Sequence, residues 1–355
     1  MKEVIERFDL YRLSFPLVRP YALSFTTVES LDVLWVRAEL ESGSVGWGES
    51  APLPGYNEGA IGVVWDFGCK LAKAWVGKSA SRALELAACE KGDRFLTTAV
   101  ETAVEEAAKI IPCQSGVIPI VGLIQGEEAE DLGEEIDRRR KQGFVRYKAK
   151  LGGRDVGTDI KRVVAIQCAL EAGEMVRFDA NQGLDMEAAR RLLEECDPAK
   201  VEFFEQPLPT TSLEEMGILA DEFPITLLLD ESVTGRDIIR GIGEMGKRFA
   251  IKLKWMKQSG WNGLKDSTQI AESFGMSVVL GNGVATYLNN WHECQFWASM
   301  LKNFNLSGEM NGFLKLDRIP ADCGLIFESG AIKLSSVREL VVPERHLLDA
   351  EHFSV

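Results

Sequence analysis

The chain of 355 residues has the composition of a soluble globular protein, with 46% hydrophobic and 26% charged residues. Its formal net charge of −14 would be repelled by phosphate backbones and anionic lipid surfaces, so we expect no nucleic-acid partner and no membrane partner. An acidic surface can still enclose a cationic pocket, which keeps small anionic substrates in consideration.

The seven cysteines are scattered and contain no CxxC pair, which predicts reduced thiols in a cytosol. The N-terminal stretch MKEVIERFDLYRLSF lacks the basic region and the apolar core of a secretory signal. No uninterrupted apolar run is long enough to cross a bilayer. We therefore expect a cytoplasmic protein.

The N-terminal part of the chain alternates apolar and polar positions, and YRLSFPL, LDVLWVRAEL and SVGWGESAPL are predicted strands. Between residues 59 and 111 apolar positions recur every three or four residues, which predicts helices. Strands followed by helices indicate an α+β domain, which we place at residues 1–115.

From residue 116 onward, short apolar strands alternate with amphipathic helices. The eight predicted strands are VIPIVGLI, VRYKAK, EMVRFDA, VEFFEQ, ITLLLDES, FAIKLK, MSVVLGN and FNLSGEM. This alternation predicts an α/β fold with a (β/α)8-type barrel over residues 116–322, and a doubly wound open sheet is the alternative. Residues 323–355 do not continue the alternation.

Five successive strands of the predicted barrel end in an ionisable residue. In chain order these residues are Lys150, Asp179, Glu205, Asp230 and Lys254, and they lie 24 to 29 residues apart. Because the active site of such a barrel lies at the carboxyl ends of its strands, we expect all five side chains at one rim. Taken singly, each acid could instead cap a helix, and each lysine could be a solvated residue at a sheet edge.

Three carboxylates on neighbouring strands would repel one another unless a cation neutralised them. Their hard oxygen atoms favour Mg²⁺, or Mn²⁺, over Zn²⁺. We therefore predict that Asp179, Glu205 and Asp230 bind a divalent metal ion. His292, in NNWHECQ, falls beyond the seventh strand on a predicted helix, and we expect a structural role for it.

The motifs KxK, DAN, EQP, DES and KxxK–SG resemble those of the enolase superfamily, in particular its muconate-lactonizing subgroup. GWGESAPLPGY is similar to the capping domain of that family, and the resemblance implies a capping domain that residues 323–355 complete. It also implies an enzyme that removes a proton α to the carboxylate of a small substrate, through an enediolate, with Mg²⁺ and a lysine base. Homo-oligomers are frequent in this family, so we expect one here.

The resemblance implies that Lys150 transfers the proton. Lys148 lies two residues earlier on the same strand face, and either keeps Lys150 neutral near pH 7 or helps to hold the substrate carboxylate. Lys254 would face Lys150 across the barrel and reprotonate the opposite side of the substrate. Lys252 shares the strand face of Lys254 without an evident partner, and Lys257 is expected in the following loop.

The resemblance places Glu309 and Asn311 where dipeptide epimerases hold a substrate ammonium group with two aspartates. One carboxylate therefore remains where two are expected. The other residues predicted to contact the substrate are Asn181, Tyr21, Phe25 and Tyr56. Phe25 is equally suited to packing in the domain interface.

The sequence is compatible with three functions. The first is racemisation or epimerisation of a dipeptide or an N-acyl amino acid. The second is a lyase or cycloisomerase reaction with the same first step, such as o-succinylbenzoate synthesis or muconate cycloisomerisation. The third is a barrel that binds a metal or a carboxylate without catalysis. The LGNG stretch at the seventh strand end fits either a substrate contact or a simple turn.

Overall fold

The structure is a computed structural model that describes residues 2–22, 27–53, 59–281, 285–339 and 342–355. Its strands are β1 (Ile5–Ala22), β2 (Thr27–Leu40), β3 (Val45–Ser50), β4 (Gly116–Pro119), β5 (Gly122–Ile124), β6 (Arg146–Lys150), β7 (Met175–Asp179), β8 (Val201–Glu205), β9 (Leu227–Leu229), β10 (Phe249–Lys254), β11 (Ser277–Gly281), β12 (Leu325–Glu328), β13 (Ala331–Leu334) and β14 (Leu347–Ser354). Its α-helices are α1 (Ile61–Trp75), α2 (Ala80–Cys89), α3 (Arg94–Ala107), α4 (Ala129–Lys141), α5 (Val156–Ala169), α6 (Met186–Glu194), α7 (Leu213–Glu222), α8 (Arg236–Glu244), α9 (Gly260–Ser273) and α10 (Tyr287–Phe296). Shorter helical turns lie at Trp255–Lys257, Trp297–Leu301, Lys302–Phe304, Gly312–Lys315 and Glu344–His346.

The N-terminal strands form a four-stranded antiparallel sheet in the order β14-β1-β2-β3, so the last strand of the chain pairs with the first. Apolar residues of this sheet and of α1, α2 and α3 share one buried core. Gly48 of β3 lies so close to α3 that an added Cβ would stand 1.8 Å from the carbonyl oxygen of Ala99. Glycine in the GWGE motif therefore allows the helix to pack directly on the strand.

The second sheet is parallel and curls into a half-barrel. Its seven strands are ordered β11-β10-β9-β8-β7-β6-β5, and α4 to α9 connect successive strands. The strands are three to six residues long and largely buried, which accounts for their short apolar runs. Seven of the eight predicted parallel strands are therefore confirmed.

The predicted eighth strand, FNLSGEM, is not a regular strand in the described structure, where it forms one isolated bridge at Gly308. Its backbone still bonds to both edges of the parallel sheet: the Val121 N–H donates to Gly308 O (3.0 Å), and the Glu309 N–H donates to Leu280 O (3.1 Å). Asn305 adopts a left-handed conformation with φ of 54°, which interrupts an extended chain just before the bridge. The pairing is therefore limited to the segment around Gly308.

The predicted strand VIPIVGLI divides into two elements with different partners. β4 pairs antiparallel with β13, which also pairs with β12, whereas β5 enters the parallel sheet. Pro119 ends β4, because proline has no N–H group to continue the ladder. The C-terminal segment accordingly contacts two regions, β4 through β13 and the N-terminal sheet through β14.

Inward-facing side chains of the parallel sheet form layers. One layer is an apolar cluster of Phe203, Leu228, Ala250 and Val279. Residues two apart in a strand face the same side, so the next inward positions toward the carboxyl ends are Glu205, Asp230, Lys252 and Gly281. An apolar layer therefore borders the charged residues predicted to form the site.

Two features concern the whole described chain. Within the ranges given above, no helix is long and apolar enough to cross a membrane. The seven cysteines all lie in these ranges, and each has a free thiol.

Two acids on α3 are buried where this helix packs against the start of α9. Glu105 accepts hydrogen bonds from the backbone N–H groups of Trp261 (2.7 Å) and Asn262 (3.1 Å). Glu101, one turn earlier, is 4% exposed, and its Oε2 has no hydrogen-bond partner among the described residues. Burial, reinforced by the charge of Glu105, raises the pKa of Glu101 to about 8.

Glu101→Gln is expected to stabilise the protein at alkaline pH and to change it little in mild acid. The pKa of Glu101 rises from 4.5 to about 8 on folding, so the stability of the parent protein falls as the pH rises between these values. Glutamine removes this loss, and we expect a gain of roughly 2–4 kcal/mol in the free energy of unfolding above the folded pKa. Urea denaturation across this pH range measures the difference.

The control is Glu85→Gln, which removes an exposed acid paired with Arg82 on α2. It should change the free energy of unfolding by less than about 0.5 kcal/mol throughout the pH range. A gain from Glu101→Gln that did not depend on pH would contradict the assignment.

Candidate active site

The predicted ionisable residues lie at neighbouring strand ends. Backbone pairing places Lys150 of β6 beside Asp179 of β7, and Asp179 beside Glu205 of β8. Asp230 directly follows β9, and Lys254 is the last residue of β10. The five residues therefore share one edge of the sheet, with acids on the three central strands and a lysine on either side.

Four side chains next to this edge form a closed ring of alternating charge, here named the charge ring: Lys148, Glu205, Lys252 and Glu309. Lys148 Nζ lies 2.8 Å from Glu205 Oε2 and 3.2 Å from Glu309 Oε2. Lys252 Nζ lies 2.9 Å from Glu309 Oε2 and forms a closer ion pair with Glu205 Oε1. All four residues are between 0% and 8% exposed. The charge ring supplies the partner for Lys252 that the sequence does not reveal.

The other two predicted metal ligands contact lysines as well. Asp179 Oδ2 lies 2.9 Å from Lys148 Nζ, and Asp230 Oδ2 lies 3.7 Å from Lys252 Nζ. Lys254 pairs with Asp230 Oδ1 at 2.7 Å. Lys150 differs from all of these, because it is exposed and its ammonium group has no ion-pair partner among the described residues. Lys150 is therefore the lysine with the greatest freedom to meet a substrate.

The acids of the site differ in their pKa values. Burial opposes ionisation of Asp179, but the charges of Lys148 and Lys252 outweigh it and lower the pKa. Burial and the charge of Asp179 instead raise the pKa of Glu205 to about 8. Burial also works against the charge of Lys148, yet the surrounding carboxylates hold its pKa well above the usual range. Lys148 is thus a fixed cation, which fits a binding role better than a role as base.

Arg177 is a site residue that reasoning from sequence missed. It is fully buried, two residues before Asp179 on the same face of β7. Its guanidinium donates to Glu309 Oε1 (3.3 Å) and Ser307 O (2.8 Å), and pairs with Glu202 Oε2 at 2.6 Å. A signal for it exists, since an arginine inside an apolar strand requires buried acidic partners.

Glu309 is not placed as a free acceptor for a substrate ammonium group. Lys148 and Lys252 bind its Oε2, and Arg177 binds its Oε1. Burial would raise the pKa of Glu309, but these cations hold it well below the usual range. Asn311 is 9% exposed, and its backbone N–H donates to Glu309 O (2.7 Å) at the start of a helical turn. The structure therefore gives Glu309 a place in the charge ring.

The chemistry of the three predicted ligands fits a hard divalent cation. Asp179, Glu205 and Asp230 are carboxylates on neighbouring strand ends, and none is more than 7% exposed. The raised pKa of Glu205 indicates that the lysines do not fully compensate the buried acids. In the part of the chain that the structure describes, no three acidic, histidine or cysteine side chains are arranged to hold an ion, since lysine ammonium groups lie between the carboxylates.

Gln206 holds the backbone that carries Asp230. It is fully buried and adopts a left-handed conformation with φ of 35°. Its Oε1 accepts hydrogen bonds from the backbone N–H groups of Asp230 (3.1 Å) and Ser232 (3.2 Å), and its Nε2 donates to Ser232 Oγ (2.9 Å). One side chain therefore joins the EQP motif to the DES motif.

Asn181 plays a similar part beside Asp179. Its φ is 42°, and its backbone N–H donates to Asp179 Oδ1 (3.0 Å). Its side-chain Nδ2 donates to Glu231 Oε1 (3.2 Å), while Glu231 Oε2 has no hydrogen-bond partner within the described ranges. The predicted contact between Asn181 and a substrate stays a prediction.

Gln206→Ala is expected to weaken Mg²⁺ binding by about 10- to 100-fold, because outer contacts that orient a ligand commonly contribute this much to metal affinity. Isothermal titration with Mg²⁺ measures the change. Gln167→Ala is the matched control, since Gln167 is a buried amide that also bonds three backbone groups, at Val163, Glu195 and Asp197. Both variants should lose stability, and an unchanged Mg²⁺ affinity in Gln206→Ala would show that Gln206 does not position a ligand.

The predicted aromatic contacts lie at or beyond the limits of the described chain. Phe25 and Tyr56 are outside the described residues, as are residues 282–284 of the LGNG stretch. For Tyr21 the backbone is described, and it pairs with Val28 of β2. The substrate contacts expected of these aromatic residues stay predictions.

His292 lies on α10, as predicted, and is fully buried. Its ring stacks on Trp255 with centroids 5.5 Å apart, and its Nε2 lies 3.2 Å from Glu106 Oε2. Burial and the charge of Arg338 lower its pKa. These contacts agree with a structural role.

Lys257 lies in the helical turn after β10, where the sequence predicts a loop.

Comparisons with known proteins identify a family and several relatives of the chain. Residues 131–338 match a family model described as Enolase C-terminal domain-like. The chain is 27% identical over 322 residues to the L-Ala-D/L-Glu epimerase of Bacillus subtilis strain 168, covering 83% of this chain and 85% of that protein. It is 24% identical over 304 residues to the chloromuconate cycloisomerase of Pseudomonas sp. strain P51, covering 80% and 79% of the two chains.

Solved structures show the same fold. A dipeptide epimerase from Cytophaga hutchinsonii, solved with Mg and the dipeptide D-Ala-L-Val, superposes with a TM-score of 0.83 at 19% sequence identity. The superposition covers 99% of each chain. At this level of identity the likeness concerns the fold.

Proposed function

Because the chain belongs to the Enolase C-terminal domain-like family, we propose that it is a Mg²⁺-dependent enzyme that removes the proton α to a substrate carboxylate. The observation that carries the proposal is the row of five strand ends, in which Asp179, Glu205 and Asp230 lie between Lys150 and Lys254. Mn²⁺ is an alternative ion with the same preference for oxygen ligands. The sequence relatives named above are enzymes with small substrates, which supports a catalytic role.

The architecture is part of the proposal. We infer that the segment around Gly308 acts as the eighth strand of a (β/α)8-type barrel, since its backbone bonds to both edges of the parallel sheet. Residues 1–115 would form a capping domain that the C-terminal segment completes, which the pairing of β14 with β1 supports.

The chemical requirement is the stabilisation of a second negative charge. Removing a proton next to a carboxylate creates an enediolate, whose oxygens carry that charge. Mg²⁺ held by Asp179, Glu205 and Asp230 would supply positive charge to these oxygens. Lys148 adds a fixed ammonium group close to the same place.

Two lysines are suited to proton transfer from opposite sides. Lys150 ends β6 and Lys254 ends β10, and three strands that carry the acids separate them in the sheet. Among the four lysines of the site, Lys150 is the exposed one and has no ion-pair partner in the described ranges, which suits a base that must approach a substrate carbon. Lys254 would hold and return the proton on the opposite face.

We propose racemisation or epimerisation of an N-acyl amino acid or a dipeptide as the overall reaction. Lysines on both sides of the acids support this, because inversion needs one group on each face of the carbon. The neutralised Glu309 favours a substrate with a blocked amino group, since a free ammonium group would meet three cations already bound to that carboxylate.

A lyase or cycloisomerase reaction is the second candidate, and one observation favours it. Lys254 is paired with Asp230 at 2.7 Å, an arrangement that suits a lysine kept as a cation to stabilise charge. Such an enzyme would use the same first step at Lys150. Its product would accumulate in one direction, without inversion of a stereocentre.

The test is a screen in D2O with Mg²⁺, read by mass shift, over N-acyl amino acids, dipeptides, muconate and the precursor of o-succinylbenzoate. A one-unit mass gain with inversion supports the racemase or epimerase reaction, and one-way product formation supports the second candidate. Carboxylate binding by calorimetry without any exchange or turnover would show that the protein binds such ligands without catalysis. Each positive substrate is repeated after removal of the metal with a chelator.

A further inference from the structure

Lys252 has no role in the two-lysine reaction, yet it is one of the four members of the charge ring. Its ammonium group is bound to Glu205 and Glu309, and it lies 3.7 Å from Asp230. The side chain is 2% exposed, so it is out of reach of solvent. Burying a charged lysine costs free energy, so the three acidic neighbours that three different segments supply to it indicate a specific role.

The neighbouring strand leaves space for the stem of Lys252. Gly281 ends β11 beside Lys254, and a Cβ built on it would lie 2.5 Å from Lys252 Cδ and 2.8 Å from Lys252 Cγ. Any residue other than glycine would therefore displace the lysine. Because Gly281 has no side chain, the aliphatic stem of Lys252 can pack directly against its backbone.

The charge ring balances two ammonium groups against two carboxylates. Each of the four groups is bound to both of its neighbours in the ring, so every charge has two opposite partners. Removal of one member leaves its two neighbours with one ring partner each and gives the ring a net buried charge. Such an uncompensated charge destabilises a protein more than the intact ion pair stabilises it. In the absence of a metal ion, the ammonium groups of Lys148 and Lys252 offset part of the free-energy cost of burying Glu205.

We propose that Lys252 is a positioning residue that acts as an internal counter-ion of the acid cluster. It holds Glu205 and compensates its charge before a divalent cation binds, and a bound cation then takes over part of that charge. The inference deepens the proposed function and rests on it for the identity of the ion. Lys252 itself does not contact the substrate in this scheme.

Thermal denaturation of Lys252→Met, with and without saturating MgCl2, tests the proposal. Methionine keeps most of the stem and removes the charge. We expect Tm of the metal-free variant to fall by roughly 5–15 °C, because a buried ion pair loses one partner. Mg²⁺ should restore part of this loss, so that the Mg²⁺-induced rise in Tm is at least about 5 °C larger than in the parent protein. Equal Mg²⁺-induced shifts in the two proteins would overturn the proposal.

Lys200→Met is the control for the loss of a lysine elsewhere. Lys200 Nζ donates to Gln167 O at 2.6 Å, away from the acid cluster. Its replacement should lower Tm equally with and without Mg²⁺. A larger Mg²⁺-induced shift in this control would also overturn the proposal, because the effect would then follow from destabilisation alone.

Glu309→Gln is the second variant, and its expected effect has the opposite sign. Loss of this carboxylate leaves Lys148 and Lys252 with Glu205 as their shared ring partner, so they should hold it more tightly and disfavour a further cation. The Mg²⁺-induced rise in Tm should therefore be smaller than in the parent protein. If Lys252→Met does not fold, Glu309→Gln is the test of the proposal. A Mg²⁺-induced rise in Tm equal to or larger than that of the parent protein would then overturn the proposal.

A double-mutant cycle separates this inference from the proposed function. Gly281→Ala and Lys252→Ala should each lower Tm of the metal-free protein, and the double variant should lose less than their sum, because the added methyl group no longer meets the lysine stem. Additive losses would refute the packing of Lys252 on Gly281 whatever the reaction is. Proton exchange by the parent protein in D2O tests the proposed function independently of this cycle.

Discussion

Lys150→Met is expected to reduce racemisation by about 10²- to 10⁴-fold, the usual contribution of a positioned acid or base. Lys254→Met should have an effect of the same order. The reason is geometric: the two lysines lie on opposite sides of the acids, so inversion needs both. Circular dichroism or chiral chromatography of the substrate measures the loss.

Isotope exchange in D2O tests the role of each lysine separately. Each single variant keeps the lysine on one face, so it should still exchange the α-proton of one enantiomer in D2O while losing exchange of the other. The two variants should keep opposite enantiomers, and the double variant should exchange neither. Lys161→Met, which removes an exposed lysine from α5, is the control and should exchange both at the parent rate. Exchange of both enantiomers at the parent rate in both single variants would contradict the two-lysine mechanism.

The parallel sheet could be predicted from sequence because its strands are short, buried and separated by helices of regular length. The same regularity places Asp179, Glu205 and Asp230 at one edge, since each strand ends where its apolar run ends. These predictions need chain order and strand direction alone. Neither requires knowledge of which side chains meet across the interior.

The features that escaped prediction depend on contacts across the sheet. The partners of Lys252 lie on β8 and near Gly308, and no local pattern links these segments. The family resemblance predicts Glu309 as a substrate-binding acid, but its environment is set by Lys148, Lys252 and Arg177 from three strands. Sequence therefore indicated which residues are charged and near the site, and the fold decided which of them neutralise one another.

Strand pairing shows the same limit. VIPIVGLI has one continuous apolar pattern, yet its first part pairs antiparallel with β13 and its second part pairs parallel with β6. Apolar alternation identifies an extended segment but carries no information on the partner or its direction. The weak eighth strand follows from Asn305, whose left-handed backbone interrupts the extended chain and limits the pairing to the segment around Gly308.

Glu205→Gln is expected to have the largest effect on the metal site. Gln retains the shape of the side chain but loses the charge, so a hard divalent cation loses an anionic ligand and the charge ring loses the carboxylate shared by Lys148 and Lys252. We expect Mg²⁺ affinity to fall by more than about 100-fold, beyond the range found for loss of an outer contact, and turnover to fall with it. Isothermal titration with Mg²⁺ and the exchange assay measure the two effects.

Glu202→Gln makes the same chemical change on the same strand and isolates the role of Glu205. Glu202 is paired with Arg177 and Arg146, and in the described structure neither arginine forms an ion pair with Asp179, Glu205 or Asp230. Its replacement should therefore lower stability while leaving Mg²⁺ affinity within about threefold of the parent value. The two variants therefore separate loss of a buried ion pair from loss of a metal ligand. If Glu205→Gln bound Mg²⁺ as tightly as the parent protein, the ion would not be held by the acids of the three central strands, and the enediolate chemistry would lose its source of positive charge.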